Sequence, residues 1–251
     1  MLQRFFIRFS YDGTNYHGWQ IQPNGMSVQE KMTTVLKQLF ESDFHLTGAG
    51  RTDSGVHASC MYAHFDTEKE MGDLKVLAYK INYMMPRDIA VFSVRKVRPD
   101  ANARFDALSR TYEYRMSAVK DPFHRDFIAP FYGNLDVVAM NQAAAVLFEY
   151  DDFTSFSKLH TDVKTNICRI MKAEWEWRGN QLVFVIQADR FLRNMVRAVV
   201  GTLLEVGRGK LDVAGFRRVI EQKDRCAAGT SMEAKGLFLV DVTYPDAIFI
   251  D

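Results

Sequence analysis

Residues 48–58 read GAGRTDSGVHA, with an arginine, an aspartate and two hydroxyl side chains set among three glycines. Glycine adopts backbone conformations that other residues avoid, so this composition predicts a tight loop. The preceding FHLTGAG is predicted to be a short strand, and the following CMYAHFDT alternates as a half-buried strand does. The loop therefore joins two consecutive strands, and this connection decides the fold of the first half of the chain.

The segments around these strands complete a β-α-β-β-α-β order. RFFIRFS is predicted to be the first strand of this order, and DIAVFSVRKV is predicted to be the last. One helix is expected to begin after Ser27, with Glu30 three residues later as in a capping box. Asp73 is expected to cap the other helix. This order is typical of the ferredoxin-like arrangement, and it predicts a domain over residues 1–104.

The second half repeats this pattern without repeating the sequence. Its predicted strands are RTYEYRM, NICRIMKAEWEW, NQLVFVIQA and GLFLVDVTYP. A helix capped by Asp136 follows the first strand, and a turn at Gly179 and Asn180 joins the middle two strands. The helix FLRNMVRAVVGTLLEVG is expected to end near Gly207, with Gly207 as its C-cap. We expect an α+β protein of two ferredoxin-like halves, 1–104 and 105–251, with mainly antiparallel sheets flanked by helices.

Composition restricts the class of protein without identifying it. Hydrophobic residues make up 47% and charged residues 25% of the chain, which is ordinary for a globular protein. No apolar run reaches the ~18 residues of a membrane span. The three cysteines are isolated, so neither a disulfide framework nor a zinc site is expected. We expect a cytoplasmic protein that holds no metal.

Charge is unevenly distributed although the formal net charge is only +1. Residues 95–125 carry eight Lys or Arg against four Asp or Glu, and residues 190–225 carry nine against four. In the second stretch Arg190, Arg193 and Arg197 have the spacing of one helix face. Such stretches are either solvated surfaces or faces that bind an acidic partner.

The polar residues of the 48–58 loop admit several interpretations. Asp53 could form a turn or act in catalysis, and Arg51 could pair with it or hold a phosphate. A P-loop is excluded because the Gly-Lys-Ser/Thr ending is missing. Ser54 and His57 suggest a hydrolase, but no G-x-S-x-G elbow is present, so His57 is expected to be structural.

The loop resembles the signature of the tRNA pseudouridine synthase A family, Gly-Arg-Thr-Asp-x-Gly-Val-His-Ala. Further blocks resemble those of the family, in the family's order: YDGTNYHGWQIQPNGMSVQEKM, NARFDALSRTYEYR, DDFTSFS, FLRNMVRAVVGTLLEVGRGK and GLFLVDVTYP. Together they cover nearly the whole chain. The chain departs from the family after Thr230, where many members have a proline and this sequence has Ser231.

The resemblance implies a reaction and its catalytic groups. The family converts uridine to pseudouridine at positions 38, 39 and 40 of the tRNA anticodon stem-loop. Asp53 matches the catalytic aspartate, which attacks the ribose C1′ or the base C6, or supports a glycal intermediate. Arg197 matches the arginine that pairs with this aspartate and favours its ionised form. No metal or organic cofactor is required, because nothing is oxidised and no group is imported.

The resemblance also implies how the substrate is held. The target base must leave its stack. Tyr112 matches the tyrosine that stacks on it, with Tyr114 on the same strand face as the alternative. Arg51 matches the arginine that holds the flipped-out geometry, and Leu237 matches an apolar residue that closes the pocket. Family members are homodimers that bind tRNA jointly, so tRNA and a second copy are the expected partners.

A non-catalytic RNA-binding or RNA-folding protein on the same scaffold is the alternative function. Such a protein would keep the arginines but would not need Asp53. An intact Arg-Thr-Asp motif favours the enzyme.

Overall fold

The computed structural model describes residues 2–158 and 165–250, and the chain divides into two compact units. The first comprises Met1–Leu108 and Leu239–Asp251, and the second comprises Ser109–Phe238. Within the described part of the chain, no helix is both long and apolar enough to cross a membrane.

The first unit has the predicted β-α-β-β-α-β order. Its elements are β1 (Gln3–Tyr11), α1 (Val28–Phe40), β2 (Thr47–Gly48), β3 (His57–Thr67), α2 (Leu74–Met84) and β4 (Ile89–Val97). β1 pairs antiparallel with both β3 and β4, and β2 pairs antiparallel with β3. The Ser27 hydroxyl accepts from the Glu30 N–H, and the Asp73 carboxylate accepts from Lys75 N–H, which confirms both predicted caps.

Both faces of this sheet are partly covered. Phe5, Ile7 and Phe9 alternate along β1 and are all buried, as an inward strand face requires. Phe6 points to the opposite face, yet it is buried as well, because it packs in a cluster with Val97, Ala101, Ala103 and Ile248. The polypeptide that follows β4 and the C-terminal residues therefore cover part of the second face.

The second unit contains the remaining elements. They are β5 (Ser109–Ser117), β6 (Ala129–Pro130), α3 (Val137–Ala145), β7 (Ile170–Arg178), β8 (Gln181–Ala188), α4 (Met195–Gly207), α5 (Val213–Glu221) and the start of β9 (Leu237–Thr243). β8 pairs antiparallel with β5 and β7, and β6 runs parallel to β5. Asp136 caps α3, and Gly179 makes the β7–β8 turn with φ +60°, as predicted. The α+β class with mostly antiparallel pairing is confirmed.

The division into units differs from the expected domains 1–104 and 105–251 at the C-terminus. Residues from Leu239 onward belong to the first unit. Three contacts explain this: β9 lies beside β3, Thr243 O accepts from Leu108 N–H, and Ile248 joins the cluster around Phe6. The last strand therefore completes the sheet with which the chain began.

Helix α4 begins closer to the C-terminus than the sequence predicts. α4 starts at Met195, because Asn194 has φ +66°, a left-handed conformation that ends any helical path before it. Arg190 and Arg193 precede the helix, so the predicted stripe of three arginines on one helix face is wrong. The C-cap is Arg208 and not Gly207, which is instead the last helical residue.

His64 gives the first unit a dependence on pH. It is buried, and its Nδ1 accepts from the Ala103 N–H at 3.1 Å. Burial, with the nearby Arg4 cation, lowers the pKa of His64 to about 4. The unfolded chain binds this proton below about pH 6.5, whereas the folded chain does not until about pH 4. The destabilising effect of His64 protonation is therefore absent above about pH 6.5, and the free energy of unfolding decreases as the pH falls toward 4.

We expect the His64 effect to lower the free energy of unfolding by about 3 kcal/mol between pH 6.5 and pH 4. Denaturant titrations of the wild type and of His64→Gln across this range measure it. His17→Gln is the control, because His17 is exposed and is not among the groups that shift the pKa of His64. An equal pH dependence in the wild type and His64→Gln would contradict the assignment.

Candidate active site

The 48–58 loop leaves β2 and enters β3, and two of its three glycines are required by the geometry. A Cβ on Gly48 would lie 2.4 Å from the Trp19 indole Nε1, so only glycine permits this approach. Gly55 has φ +76°, which side-chain-bearing residues rarely adopt. Gly50 has open space around it, so the geometry does not explain this glycine.

The last residue of β1 and the residues that follow it form a clamp along this loop. We call residues 11–19 the clamp segment. Its Tyr16 carbonyl accepts from the Gly55 N–H and from the Ser54 hydroxyl, both at 3.2 Å. The Tyr16 hydroxyl in turn donates to Asp88 at 2.8 Å, which anchors the segment next to β4. The clamp segment thus holds the loop through contacts between residues about 40 positions apart in sequence.

Asp53 and Arg51 lie on the outer side of the loop. Arg51 is exposed, and Asp53 is half-buried. The Asp53 carbonyl accepts from the Val56 N–H at 3.1 Å, so the aspartate occupies a closed turn. Asp53 is therefore partly accessible to a ligand, and its backbone is held by the turn.

Ser54 and His57 do not form a hydrolase pair. His57 is buried, and its Nδ1 accepts from the Gly13 N–H at 3.0 Å. The Ser54 hydroxyl donates to the Tyr16 carbonyl. His57 is therefore structural, as predicted, and it joins the clamp segment to the start of β3.

The two tyrosines of β5 share a strand face but have different surroundings. Tyr114 is completely buried, and its hydroxyl donates to the Glu233 carbonyl at 3.0 Å. Burial raises the pKa of Tyr114 well above its ordinary value. Tyr112 keeps 8% of its surface exposed and meets Phe191 edge-on, with ring centroids 5.2 Å apart. This geometry makes Tyr112 the better candidate for contact with a base.

Arg197 is fixed on α4 by the segment that precedes β9. Its Nε donates to the Met232 carbonyl at 2.5 Å, and its own carbonyl accepts from the Met232 N–H at 3.1 Å. Tyr114 donates to the next carbonyl, at Glu233. Arg197 and Tyr114 therefore hold neighbouring peptides of one segment.

The same segment contains the position where the family proline is missing. The Ser231 hydroxyl accepts from the Asn194 amide at 2.6 Å and from Arg225 at 2.8 Å. Gly201 of α4 has no room for a Cβ, which would lie 1.9 Å from the Thr230 carbonyl. Hydrogen bonds and close packing thus fix this segment without a proline.

Leu237, the first residue of β9, is buried in the second unit. A Cβ on the preceding Gly236 would lie 2.7 Å from the Arg115 carbonyl, so the chain runs close against β5 here. Of the five predicted site residues, Arg51 and Asp53 belong to the first unit, and the other three belong to the second.

Sequence reasoning missed Tyr11 and Thr52. The Tyr11 hydroxyl and Thr52 Oγ1 are 2.8 Å apart and buried, although 41 positions separate them in sequence. The sequence shows only a threonine between two charged residues in a loop, and this pattern does not identify a distant hydrogen-bond partner. In the described residues, no group of three or more His, Cys, Asp or Glu could hold a metal ion.

Comparison with known proteins gives a consistent result. A family model described as tRNA pseudouridine synthase matches residues 7–106 and 143–245. The chain is 61% identical to a tRNA pseudouridine synthase A of Bacteroides thetaiotaomicron over 251 residues, which cover 99% of this chain and 93% of that protein. It is 58% identical to the Parabacteroides distasonis protein of the same name, covering 99% and 98%. A more distant relative of that name, from Exiguobacterium sibiricum, is 35% identical and covers 98% of both chains.

Proposed function

The chain belongs to the tRNA pseudouridine synthase family and isomerises uridine to pseudouridine in tRNA; on that premise we propose that Asp53 is its nucleophile and the anticodon stem-loop its target. The proposed target uridines are positions 38, 39 and 40. We further propose that it acts as a cytoplasmic homodimer without a cofactor.

The position of Asp53 is the observation that supports this proposal most directly. The isomerisation breaks the bond between N1 of uracil and C1′ of ribose and forms a bond from C5 to C1′. The C5 proton leaves, and N1 gains a proton, so atoms and electrons balance without a redox partner. An ionised carboxylate can attack C1′ or C6, or assist a glycal route. Asp53 is half-buried on a turn with fixed backbone, which suits each of these roles.

The remaining predicted residues have roles in binding the flipped base. Extracting a base from its stack costs on the order of a few kcal/mol, which new contacts must offset. Tyr112 would stack on the extruded uracil, and exposed Arg51 would occupy or hold the position that the base leaves. Leu237 would contribute an apolar wall. The basic stretches 95–125 and 190–225 would neutralise phosphates, so tRNA affinity should fall steeply with salt.

A direct assay tests the proposal. Unmodified tRNA transcripts are incubated with the protein, and pseudouridine is mapped by carbodiimide treatment and primer extension. We expect stops one nucleotide 3′ of positions 38, 39 or 40, and no such stops in transcripts that carry cytidine at these positions. Modification confined to another part of the tRNA would contradict the target, and absence of any pseudouridine would contradict the activity.

Arg197→Ala is expected to reduce turnover strongly, because the resemblance assigns this guanidinium to the catalytic carboxylate. Without the cation, the ionised carboxylate is less favoured, so the acidic limb of the pH–rate profile should move to higher pH. Arg197→Lys keeps the charge but loses the planar fork and the Nε bond to Met232, so it should recover only part of the rate.

The control for Arg197 is Arg169→Ala, which removes an exposed arginine of the same unit that lies outside both basic stretches. Its rate and pH profile should match the wild type. An unchanged pH profile in Arg197→Ala would rule out the proposed pairing, even if the rate fell.

A further inference from the structure

Thr52 is the buried member of the Arg-Thr-Asp motif. Thr52 is 9% exposed, whereas Arg51 and Ser54 are exposed and Asp53 is half-buried. Burying a hydroxyl is unfavourable unless it is hydrogen-bonded. The contacts of this hydroxyl therefore indicate why a polar residue is placed inside the loop.

The Thr52 hydroxyl joins the loop to both ends of the clamp segment. It lies 2.8 Å from the Tyr11 hydroxyl and accepts from the Trp19 N–H at 3.1 Å. A threonine hydroxyl has one proton and two acceptor sites, so it satisfies both contacts whichever of the two hydroxyls donates to the other. Tyr11 is the last residue of β1, so the bond ties the loop directly to the sheet.

The peptide between Thr52 and Asp53 is also packed against the clamp segment. Gly18 has φ +81°, and a Cβ there would lie 2.2 Å from the Thr52 carbonyl oxygen and 3.1 Å from the Asp53 carbonyl carbon. On the C-terminal side, the Asp53 carbonyl accepts from the Val56 N–H. The backbone is thus held immediately before and after the Asp53 Cα.

We infer that Thr52 is a positioning residue for catalysis: its buried hydroxyl fixes the backbone from which the Asp53 carboxylate projects. The inference rests on the proposed role of Asp53 as nucleophile. Thr52 itself is turned into the protein, so it acts through Asp53 and not through the substrate. A misplacement of about 1 Å in a reacting group can cost about 100-fold in rate, so a small relaxation of this peptide is sufficient for a measurable effect.

Thr52→Val tests the inference, because it preserves the side-chain shape and removes only the hydroxyl. We expect kcat to fall by about 10- to 100-fold at saturating tRNA, with KM within about threefold of the wild type. Thr52→Ser restores the hydroxyl and should return kcat to within about threefold of the wild type. Tyr11→Phe removes one of the two contacts, so its kcat should lie between those of the wild type and Thr52→Val.

Thr67→Val is the matched control. Thr67 is 6% exposed at the other end of β3, and its hydroxyl accepts from the Lys69 N–H at 3.1 Å. This variant also loses a buried hydroxyl, and its kcat should equal that of the wild type. Melting temperatures of all variants separate loss of stability from loss of positioning.

Three results would overturn the inference: a wild-type kcat in Thr52→Val, an effect confined to KM or to melting temperature, or a kcat in Thr52→Ser as low as in Thr52→Val. If Thr52→Val does not fold, a wild-type kcat in Tyr11→Phe overturns it. The proposed function fails separately, if the wild type forms no pseudouridine or if Asp53→Asn remains active. A normal Thr52→Val beside an inactive Asp53→Asn would reject only the positioning role.

Discussion

Asp53→Asn is expected to abolish pseudouridine formation while tRNA affinity stays within about threefold of the wild type. The two side chains have the same shape, but the amide is neutral and is not a nucleophile. A threefold change in Kd corresponds to about 0.65 kcal/mol, which allows for the loss of one weak contact. Single-turnover pseudouridine mapping and filter binding of the same transcript measure the two quantities.

The control for Asp53→Asn must remove a carboxylate from the same unit without touching the loop. Asp43→Asn does so, since the Asp43 side chain is 88% exposed and pairs only at the surface, with Lys37. It should retain full activity. Substantial turnover by Asp53→Asn would place the catalytic group elsewhere, and a large loss of affinity would mean that the charge mainly serves binding.

Local signals in the sequence predicted most of the fold. Ser27, Asp73 and Asp136 were each recognised as helix caps, because a capping side chain acts on backbone within three residues of itself. The sequence predicts an earlier start for α4, because the apolar Phe191 and Leu192 extend the apolar pattern of the helix toward the N-terminus. The left-handed backbone of Asn194 interrupts the helix there, and periodicity does not report such a conformation.

Contacts between distant residues limited the prediction of the candidate site. Asp53 was identified from its motif, but the Thr52–Tyr11 contact that secures its turn spans 41 positions. The return of β9 to the first unit similarly depends on its place beside β3, a strand far from it in sequence. Tyr112 and Tyr114 could not be separated by strand periodicity, because residues two apart face the same side. Only their burial and hydrogen bonds distinguish them.

Tyr112→Ala is expected to lower both tRNA affinity and turnover, because it removes the ring proposed to stack on the extruded uracil. Stacking on a base contributes about 1–3 kcal/mol, which corresponds to roughly a 5- to 150-fold loss of affinity. Tyr112→Phe keeps the ring and its edge-on contact with Phe191. If the residue only stacks, Tyr112→Phe should bind and react nearly as the wild type does. If the hydroxyl also moves a proton, it should bind normally and react slowly.

Tyr114 provides the matched comparison on the same strand face. Tyr114→Ala removes a fully buried ring and its bond to the Glu233 carbonyl, so it should cost about 3–5 kcal/mol of stability. Tyr114→Phe loses only the hydroxyl and should cost about 1 kcal/mol, with turnover retained in the folded protein. Denaturant titration and pseudouridine mapping on all four variants separate the two roles. If Tyr114→Phe stopped turnover in a folded protein while Tyr112→Ala left it intact, Tyr114 would be the residue that meets the base, and the assignment within β5 would be off by two positions.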